Sequence, residues 1–187
     1  MKKVTFITTN EGKWNISRRV LSEYKIELLR ENLETPEIQS FDAKDVAIYS
    51  AEFAAEKLQR PVIKTDVGYY INSLNGFPGP FIKYINNWLS SDDILTMLKD
   101  KIDRTVLIKE YLAFSEPGRK TLVFVAKDMG KIAQKAEGQG SAIDKILIRE
   151  RQNQVQALYS ASEMLDYWSK NLDHFRDFGE YIKKGHQ

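Results

Sequence analysis

The hydrophobic pattern changes period several times along the chain, and these changes mark the first predicted elements. β-Branched and aromatic residues from Val4 to Thr9 predict a buried strand, and from Lys13 the apolar residues recur at helical spacing. The same reasoning predicts, in chain order, a strand at Ile26–Leu29, a helix at Asp45–Gln59 and a strand at Val62–Thr65 that continues as extended chain to Ile71.

Turn residues and shorter blocks characterise the remainder of the chain. Asn75–Pro80 is a turn-rich loop, Ser91 is a candidate N-cap, and Glu116–Arg119 has the composition of a hairpin turn. The pattern predicts helices at Phe81–Leu89 and Asp92–Asp100, strands at Thr105–Phe114, Thr121–Lys127 and Ile132–Lys135 with a tight turn at Asp128–Lys131, and helices at Ala161–Ser169 and His174–Lys184. This order predicts a mixed α/β sheet flanked by helices, in a single domain of residues 1–187.

The nearly balanced charge removes several classes of function. The chain has 187 residues with 28 Lys and Arg against 26 Asp and Glu, and a net charge of +2 is far from the basic excess of a polyanion binder. Cysteine is absent and there are two histidines, so any metal should be a hard cation bound by oxygen. No signal peptide or membrane span is predicted, and we expect a cytoplasmic protein without nucleic-acid or membrane partners.

The turn Thr8–Lys13 is a candidate site because it joins a predicted strand to a predicted helix. Backbone N–H groups at a helix N-terminus favour an anion, and this turn adds hydroxyls, an amide and the ammonium of Lys13. Phosphate binding is one interpretation, and a solvated turn with a surface lysine is the other.

Two acids are candidates for metal and water chemistry. Asp66 lies at the carboxyl end of a strand predicted to neighbour the first, where open α/β sheets bind ligands, and Glu37 lies in Pro36–Gln39. Mg²⁺ on a triphosphate takes one or two protein carboxylates and keeps several waters. One acid could hold the metal and the other orient a water, whereas the alternative for each is an ordinary surface acid.

Three stretches of the sequence carry a resemblance to a known family. Thr8-x-Asn10-x-x-Lys13 is the first and Glu37-x-Gln39 the second. The third stretch has matching residues at Asp66, Leu74, Gly76, Pro78, Gly79, Phe81, Ile82 and Lys83. In these stretches the chain resembles the inosine triphosphate pyrophosphatase family, which hydrolyses non-canonical purine nucleoside triphosphates.

The resemblance implies an elongated α/β fold of two lobes around a long mixed sheet, with the nucleotide in the groove between them, and a homodimer. It implies cleavage of triphosphates such as ITP, XTP or dITP to a monophosphate and pyrophosphate, with Mg²⁺ as cofactor. Lys13 and Asp66 would be catalytic, with Asp66 orienting or deprotonating the attacking water, and Glu37 and Asp66 would hold Mg²⁺. The residues that it assigns to the triphosphate are Thr8, Asn10, Lys13 and Lys83.

The downstream half departs from the family pattern. Asp144 can be matched to an acid that positions the nucleotide, but the aromatic residue of the base pocket is missing before it. Lys170 and His174 match the family's K and S-H-R positions, which contact the purine and its sugar, with one residue deleted, and Arg176 is displaced. For His174 the alternative is a surface histidine at the start of a helix.

Two functions therefore stay open. In the first, the protein is a pyrophosphatase with relaxed or altered purine specificity, because the phosphate and metal residues persist. In the second, it is a catalytically weak relative that binds nucleotides or a protein partner. The aromatic residues Tyr167, Trp168 and Tyr181 would support the second function if they were exposed, and core or dimer contacts are the alternative for them.

Overall fold

A computed structural model describes residues 2–185 of the chain. The strands are β1 (Lys2–Ile7), β2 (Ile26–Glu31), β3 (Val62–Ile71), β4 (Pro78–Gly79), β5 (Thr105–Ser115), β6 (Leu122–Ile132) and β7 (Leu147–Arg149). The helices are α1 (Glu11–Leu21), α2 (Ala43–Leu58), α3 (Ile82–Trp88), α4 (Ser91–Met97), α5 (Ala161–Asn171) and α6 (His174–Lys183). Within residues 2–185, no helix combines the length and the apolar character that crossing a bilayer requires.

These strands form one mixed sheet in the order β2-β1-β3-β5-β6-β7, with β4 paired to β3. β1 runs parallel to both β2 and β3, because each connection includes a helix long enough to return the chain to the same edge. β4 is antiparallel to β3, and β7 is antiparallel to β6. The predicted mixed α/β sheet flanked by helices is therefore confirmed.

The chain divides into two compact units. The first contains the described residues up to Asp66, Glu110–Ala126 and the described residues from Leu165 onward. Its largest buried side chains include the aromatic rings of Phe6, Phe114, Phe175 and Phe178. This unit holds most of the residues to which the sequence assigns chemistry.

The second unit contains Val67–Lys109 and Lys127–Met164. Its core is aliphatic and includes Ile71, Ile94, Leu98, Val106, Ile146 and Leu147. Each unit thus buries a hydrophobic cluster of its own. The description of residues 1–187 as a single domain with a nucleotide groove stays a prediction.

The N-cap of α4 is Ser90, and the prediction of Ser91 is wrong. The Ser90 hydroxyl accepts a hydrogen bond from the Asp93 N–H at 3.2 Å, and Asp93 Oδ2 accepts one from the Ser90 N–H at 2.8 Å. Ser91 is buried, and its hydroxyl donates to the carbonyl oxygen of Ala142 at 2.8 Å. Either of the two adjacent serines could cap the helix by residue type. The hydroxyl of Ser91 is already used in the contact with Ala142, and Ser90 is the residue that caps α4.

The predicted turn at Asp128–Lys131 and the predicted strand at Ile132–Lys135 are also wrong. Residues 128–131 lie within β6, which pairs with β7 from Gly130 to Ile132. A Cβ at Gly130 would lie 2.7 Å from the carbonyl oxygen of Ile148. The glycine therefore permits the close approach of a neighbouring strand, which a sequence pattern cannot distinguish from a turn.

Candidate functional site

The turn after β1 is fixed by its own polar side chains. Asn10 is the N-cap of α1, where its Oδ1 accepts a hydrogen bond from the Lys13 N–H at 3.0 Å. The Asn10 N–H donates to Oγ1 of Thr8 at 3.1 Å. Arg30 of β2 donates to the carbonyl oxygens of Thr8 and Thr9 at 3.1 and 3.0 Å. Thr8 and Asn10 therefore shape the loop, together with Arg30, which the sequence pattern does not indicate.

The side chain of Lys13 extends from α1 to β3 and β5. Its Nζ donates a hydrogen bond to the carbonyl oxygen of Thr65 at 3.4 Å and lies 3.6 Å from Oε1 of Glu110. The side chain is 22% exposed, which is too little for the freely solvated lysine of the alternative interpretation. Because Thr65 immediately precedes Asp66, the fold brings the Lys13 ammonium to the residue next to this acid.

Asp66 and Glu37 are carried by segments that are tied together. Asp66 lies in the middle of β3, so its predicted place at the carboxyl end of the strand is wrong, because the extended chain after it also belongs to the strand. Lys64 and Asp66 are two residues apart in β3, and their side chains therefore leave the strand on the same face. The ammonium of Lys64 donates to Oγ1 of Thr35 at 3.0 Å, and Thr35 is two residues before Glu37. The loop that carries Glu37 is thereby held against the strand that carries Asp66.

Glu37 and Asp66 offer the oxygen ligands that a hard cation needs. Glu37 is exposed and Asp66 is half-buried, and the buried hydroxyl of Ser50 donates to the carbonyl oxygen just before Glu37 at 3.2 Å. In the part of the chain that the structure describes, no group of three or more His, Asp or Glu residues forms a metal cage. Two carboxylates without a cage fit Mg²⁺, because this ion keeps waters and takes its other ligands from substrate phosphates.

Glu110, near the middle of β5, is an acid outside the sequence motifs of the candidate site. The residue is 9% exposed, and its Oε1 has no hydrogen-bond partner among the described residues. This oxygen lies 3.6 Å from Nζ of Lys13 and 3.9 Å from Nε2 of His174. A signal was present in the sequence, since Lys109 and Glu110 place two charges inside an otherwise uncharged strand.

His174 begins α6 and is fully buried, so the alternative of a surface histidine is wrong. Burial lowers the pKa of its ring to about 4, although the carboxylate of Glu110 acts in the opposite direction. The ring is therefore neutral at pH 7, and its 3.9 Å separation from Glu110 is not an ion pair there. Substrate contact by His174 stays a prediction, and in this structure the residue has no exposed surface with which to make one.

Arg176 and Lys170 lie at the junction of α5 and α6. The guanidinium of Arg176 donates to the carbonyl oxygens of Ser169 and Lys170 and forms an ion pair with Asp173. It therefore satisfies the C-terminal carbonyl groups of α5, a structural role that the sequence did not indicate. The side chain of Lys170 is exposed. Substrate binding by both residues stays a prediction.

Lys83 and Asp144 belong to the second unit. Lys83 is exposed in the first turn of α3, with its ammonium 6.0 Å from the ring centre of Tyr84. Both carboxylate oxygens of Asp144 accept internal hydrogen bonds, one from the Ser141 hydroxyl at 2.6 Å and one from the Gln156 amide at 2.6 Å. Asp144 therefore holds its own loop in shape, and its predicted contact with the nucleotide stays a prediction.

The aromatic residues of the last two helices belong to the core. Tyr167 is 9% exposed, and Trp168 and Tyr181 pack against the main cluster of the first unit. The ring of Tyr181 lies 5.8 Å from that of Phe124, centre to centre. These rings give no support to a protein-interaction surface at this end of the chain.

Together the parallel strands, the capped turn and the nearby acids define an α/β protein with a turn of the kind that binds anions. The chain belongs to the Ham1 family, whose family model matches residues 4–171. This confirms the resemblance that was drawn from the turn at residues 8–13 and from the motifs around Glu37 and Asp66.

Curated relatives and solved structures agree with this assignment. The dITP/XTP pyrophosphatase of Methanosarcina acetivorans is 37% identical over 140 residues, which are 75% of this chain and 76% of that one. The dITP/XTP pyrophosphatase of Methanopyrus kandleri is 33% identical over 179 residues, 94% of this chain and 95% of that one. The Ham1 protein structures of Staphylococcus aureus and Coxiella burnetii match with TM-scores of 0.78 and 0.82 at 22% and 19% identity, each covering 99% of this chain and 100% of the other. At these identities the two structures show the shared fold.

Proposed function

We propose that the protein is a nucleoside triphosphate pyrophosphatase that hydrolyses non-canonical purine substrates of the dITP, XTP and ITP class. The products are the nucleoside monophosphate and pyrophosphate. Two relatives named dITP/XTP pyrophosphatase support this reaction, and one of them matches over 94% of the chain. The observation that carries the proposal is the hydrogen bond of Lys13 to the carbonyl oxygen directly before Asp66, at 3.4 Å.

Lys13 supplies the positive charge in this proposal. Phosphoryl transfer depends mainly on positioning and on neutralising the charge of the transferring and leaving groups. Lys13 lies in the first turn of α1, where the helix dipole also favours an anion. Thr8 and Asn10 present the capped turn to the same phosphates. The family resemblance also assigns Lys83 to the triphosphate, and this assignment stays a prediction.

Asp66 orients the attacking water and accepts its proton. The water oxygen forms a bond to the α-phosphorus, and the bond from that phosphorus to the bridging oxygen of the β-phosphate breaks as pyrophosphate leaves. Glu37 and Asp66 are the residues that would hold Mg²⁺, which when bound neutralises charge on the phosphate oxygens. The donor set consists of carboxylates and fits a hard cation.

The remaining assignments rest on the family resemblance. Asp144, Lys170, His174 and Arg176 stay predicted contacts of the nucleotide. A homodimer, a cytoplasmic location and the absence of nucleic-acid and membrane partners likewise stay predictions.

Pyrophosphate release from a panel of triphosphates with Mg²⁺ tests the proposed function. We expect XTP, dITP and ITP to be hydrolysed with higher kcat/KM than the four common nucleotides. Asp66→Asn should lower kcat by about 100-fold or more, the range of a lost general base, and Lys13→Ala should lower kcat/KM by about 100-fold, as for the loss of a transition-state donor.

Asp166→Asn is the matched control, because Asp166 is a half-exposed acid that pairs with Arg19 on the helix surface. Its activity should equal that of the wild type. Unchanged pyrophosphate release by Asp66→Asn would contradict the role of Asp66. Nucleotide binding without hydrolysis of any triphosphate would favour the alternative of a catalytically weak binding protein.

A further inference from the structure

A chain of buried polar groups lies behind the ammonium of Lys13, and the proposed reaction does not use it. Oε1 of Glu110 lies 3.6 Å from Nζ of Lys13 on one side and 3.9 Å from Nε2 of His174 on the other. The side chains of Glu110 and His174 are 11% and 0% exposed. Buried polar atoms normally have hydrogen-bond partners, but the described residues supply none to this oxygen or to either ring nitrogen.

Packing alone does not explain a carboxylate at position 110. The neighbours of Glu110 on the same face of β5, Ile108 and Leu112, are both buried and apolar. Burying a charged carboxylate costs free energy that an aliphatic side chain of similar size would not. The ammonium of Lys13 is the opposite charge that the fold places beside it. The chain therefore keeps an acid at a position where an apolar residue would pack with less cost.

A lysine that binds phosphate gains from such a partner. A free lysine side chain loses rotamer entropy when it is immobilised, and a group that already confines it reduces the loss on binding. Glu110 on β5 and the Thr65 carbonyl on β3 confine the ammonium between two oxygens, at 3.6 and 3.4 Å. Both distances exceed those of tight charge-assisted hydrogen bonds, so the ammonium is held in place but can still donate to a ligand.

We propose that Glu110 is a positioning residue for Lys13: its carboxylate, backed by the ring of His174, holds the ammonium at the Thr65 carbonyl, ready for the triphosphate. The inference rests on the proposed function, because it takes Lys13 to be a phosphate ligand. Glu110 does not touch the substrate and acts through Lys13.

A double-mutant cycle on phosphate binding tests this inference without requiring turnover. The probe is inorganic tripolyphosphate with Mg²⁺, titrated calorimetrically into the wild type, Glu110→Gln, Glu110→Asp, Lys13→Met and the Glu110→Gln/Lys13→Met double variant. Glutamine keeps a weaker acceptor, and aspartate keeps the charge but withdraws it by one methylene. We expect Kd to rise by about tenfold in Glu110→Asp and by about threefold in Glu110→Gln, within the range of measured coupling between contacting residues.

The effect should depend on the lysine. In the Lys13→Met background, Glu110→Gln should change Kd by less than about twofold, because no ammonium is left to position. Glu116→Gln is the matched control, since Glu116 is a largely buried glutamate just after β5 that pairs with Lys2 at 3.4 Å, and its Kd should equal that of the wild type. Thermal melting by circular dichroism checks folding. If the glutamine variant does not fold, Glu110→Asp is measured in the wild-type and Lys13→Met backgrounds instead, with the same expectation that its effect on Kd requires the lysine.

Three outcomes would overturn the inference. They are an equal change of Kd on Glu110→Gln in both Lys13 backgrounds, tighter tripolyphosphate binding by Glu110→Gln, and a wild type that does not bind tripolyphosphate. A wild type that binds tripolyphosphate but hydrolyses no nucleoside triphosphate would contradict the proposed function and still give a readable cycle for Glu110.

Discussion

Side chains from distant parts of the sequence meet at Lys13. Asn10 caps α1 three residues before Lys13, a contact that is local and readable from the sequence. The acceptor of the Lys13 ammonium, Thr65, is 52 positions away in the chain. Glu110 lies in β5 and His174 in α6, which are further along the chain than Thr65. The electrostatic environment of this lysine is therefore a product of the fold.

The buried ring of His174 should make stability depend on pH. Its pKa is lowered to about 4 in the folded protein, whereas an unfolded histidine takes up its proton near pH 6.5. Between these values the unfolded state binds the additional proton, so the free energy of unfolding should fall as the pH drops from 7 towards 4. The full contribution of His174 is about 3 kcal/mol.

Urea unfolding of the wild type and His174→Phe across this pH range measures the effect. Protonation of carboxylates lowers the stability of both proteins on acidification, whereas protonation of the His174 ring lowers that of the wild type alone. The phenylalanine variant should therefore lose less stability than the wild type. The chain has two histidines. In an NMR titration, the histidine signal that disappears in His186→Gln belongs to His186, so the remaining signal is that of His174. A His174 signal that titrates near pH 6.5 in the folded protein would contradict the prediction.

Among the elements, α6 shows how tightly the helices pack. Gly179 lies within this helix, and a Cβ built there would approach the Cγ and Cδ2 atoms of the Tyr24 ring to 2.5 Å. Such a distance cannot be accommodated by a small rotation, because Cγ is the fixed end of the ring. The glycine therefore costs helix propensity but allows the short 3₁₀ helix Ser22–Tyr24 to pack against α6.

Gly179→Ala should lower the free energy of unfolding by about 1–3 kcal/mol, the usual cost of overpacking. Replacing a glycine inside a helix by alanine would by itself stabilise the protein by about 1 kcal/mol, and we expect the clash with Tyr24 to outweigh this gain. Denaturant unfolding of the single variant, of Tyr24→Ala and of the double variant measures it. With the ring removed, Gly179→Ala should become neutral or stabilising, and an equal loss in both backgrounds would argue against the clash.

Over the whole chain, the Ham1 family fold combines two compact units with a nearly neutral overall charge. A net charge of +2 gives little general attraction for polyanions, so binding of a triphosphate has to come from placed groups such as Lys13. Ligand binding to the native state alone then raises its stability by mass action.

Tripolyphosphate with Mg²⁺ should therefore raise the Tm of the protein. At a ligand concentration of about 100 times Kd the expected stabilisation is about 2.7 kcal/mol. Differential scanning fluorimetry measures it, and addition of EDTA or the substitution Lys13→Ala should reduce the shift. An equal shift from sodium sulfate at the same ionic strength would show a general salt effect instead.

Much of the fold follows from local patterns. The run of β-branched and aromatic residues in β1, the helical spacing in α2 and the polar turn at residues 8–13 each depend on neighbours within a few positions, and the structure has these elements. The motif around Asp66 and Lys83 was enough to indicate the family, which the family model confirms. The predicted element boundaries were wrong where the local signal was ambiguous. Ser90 and Ser91 are both possible N-caps of α4, and Gly130 allows the close approach of a neighbouring strand but has the composition of a turn.

The candidate site divides in the same way. The residue types of Lys13, Glu37 and Asp66 indicated phosphate and metal chemistry, because charge and hydrogen-bonding capacity belong to the side chain wherever it lies. Their environment needed the fold. Glu110 became a neighbour of Lys13, and His174 became a buried neutral ring, since burial and separation in space arise when residues far apart in sequence pack together.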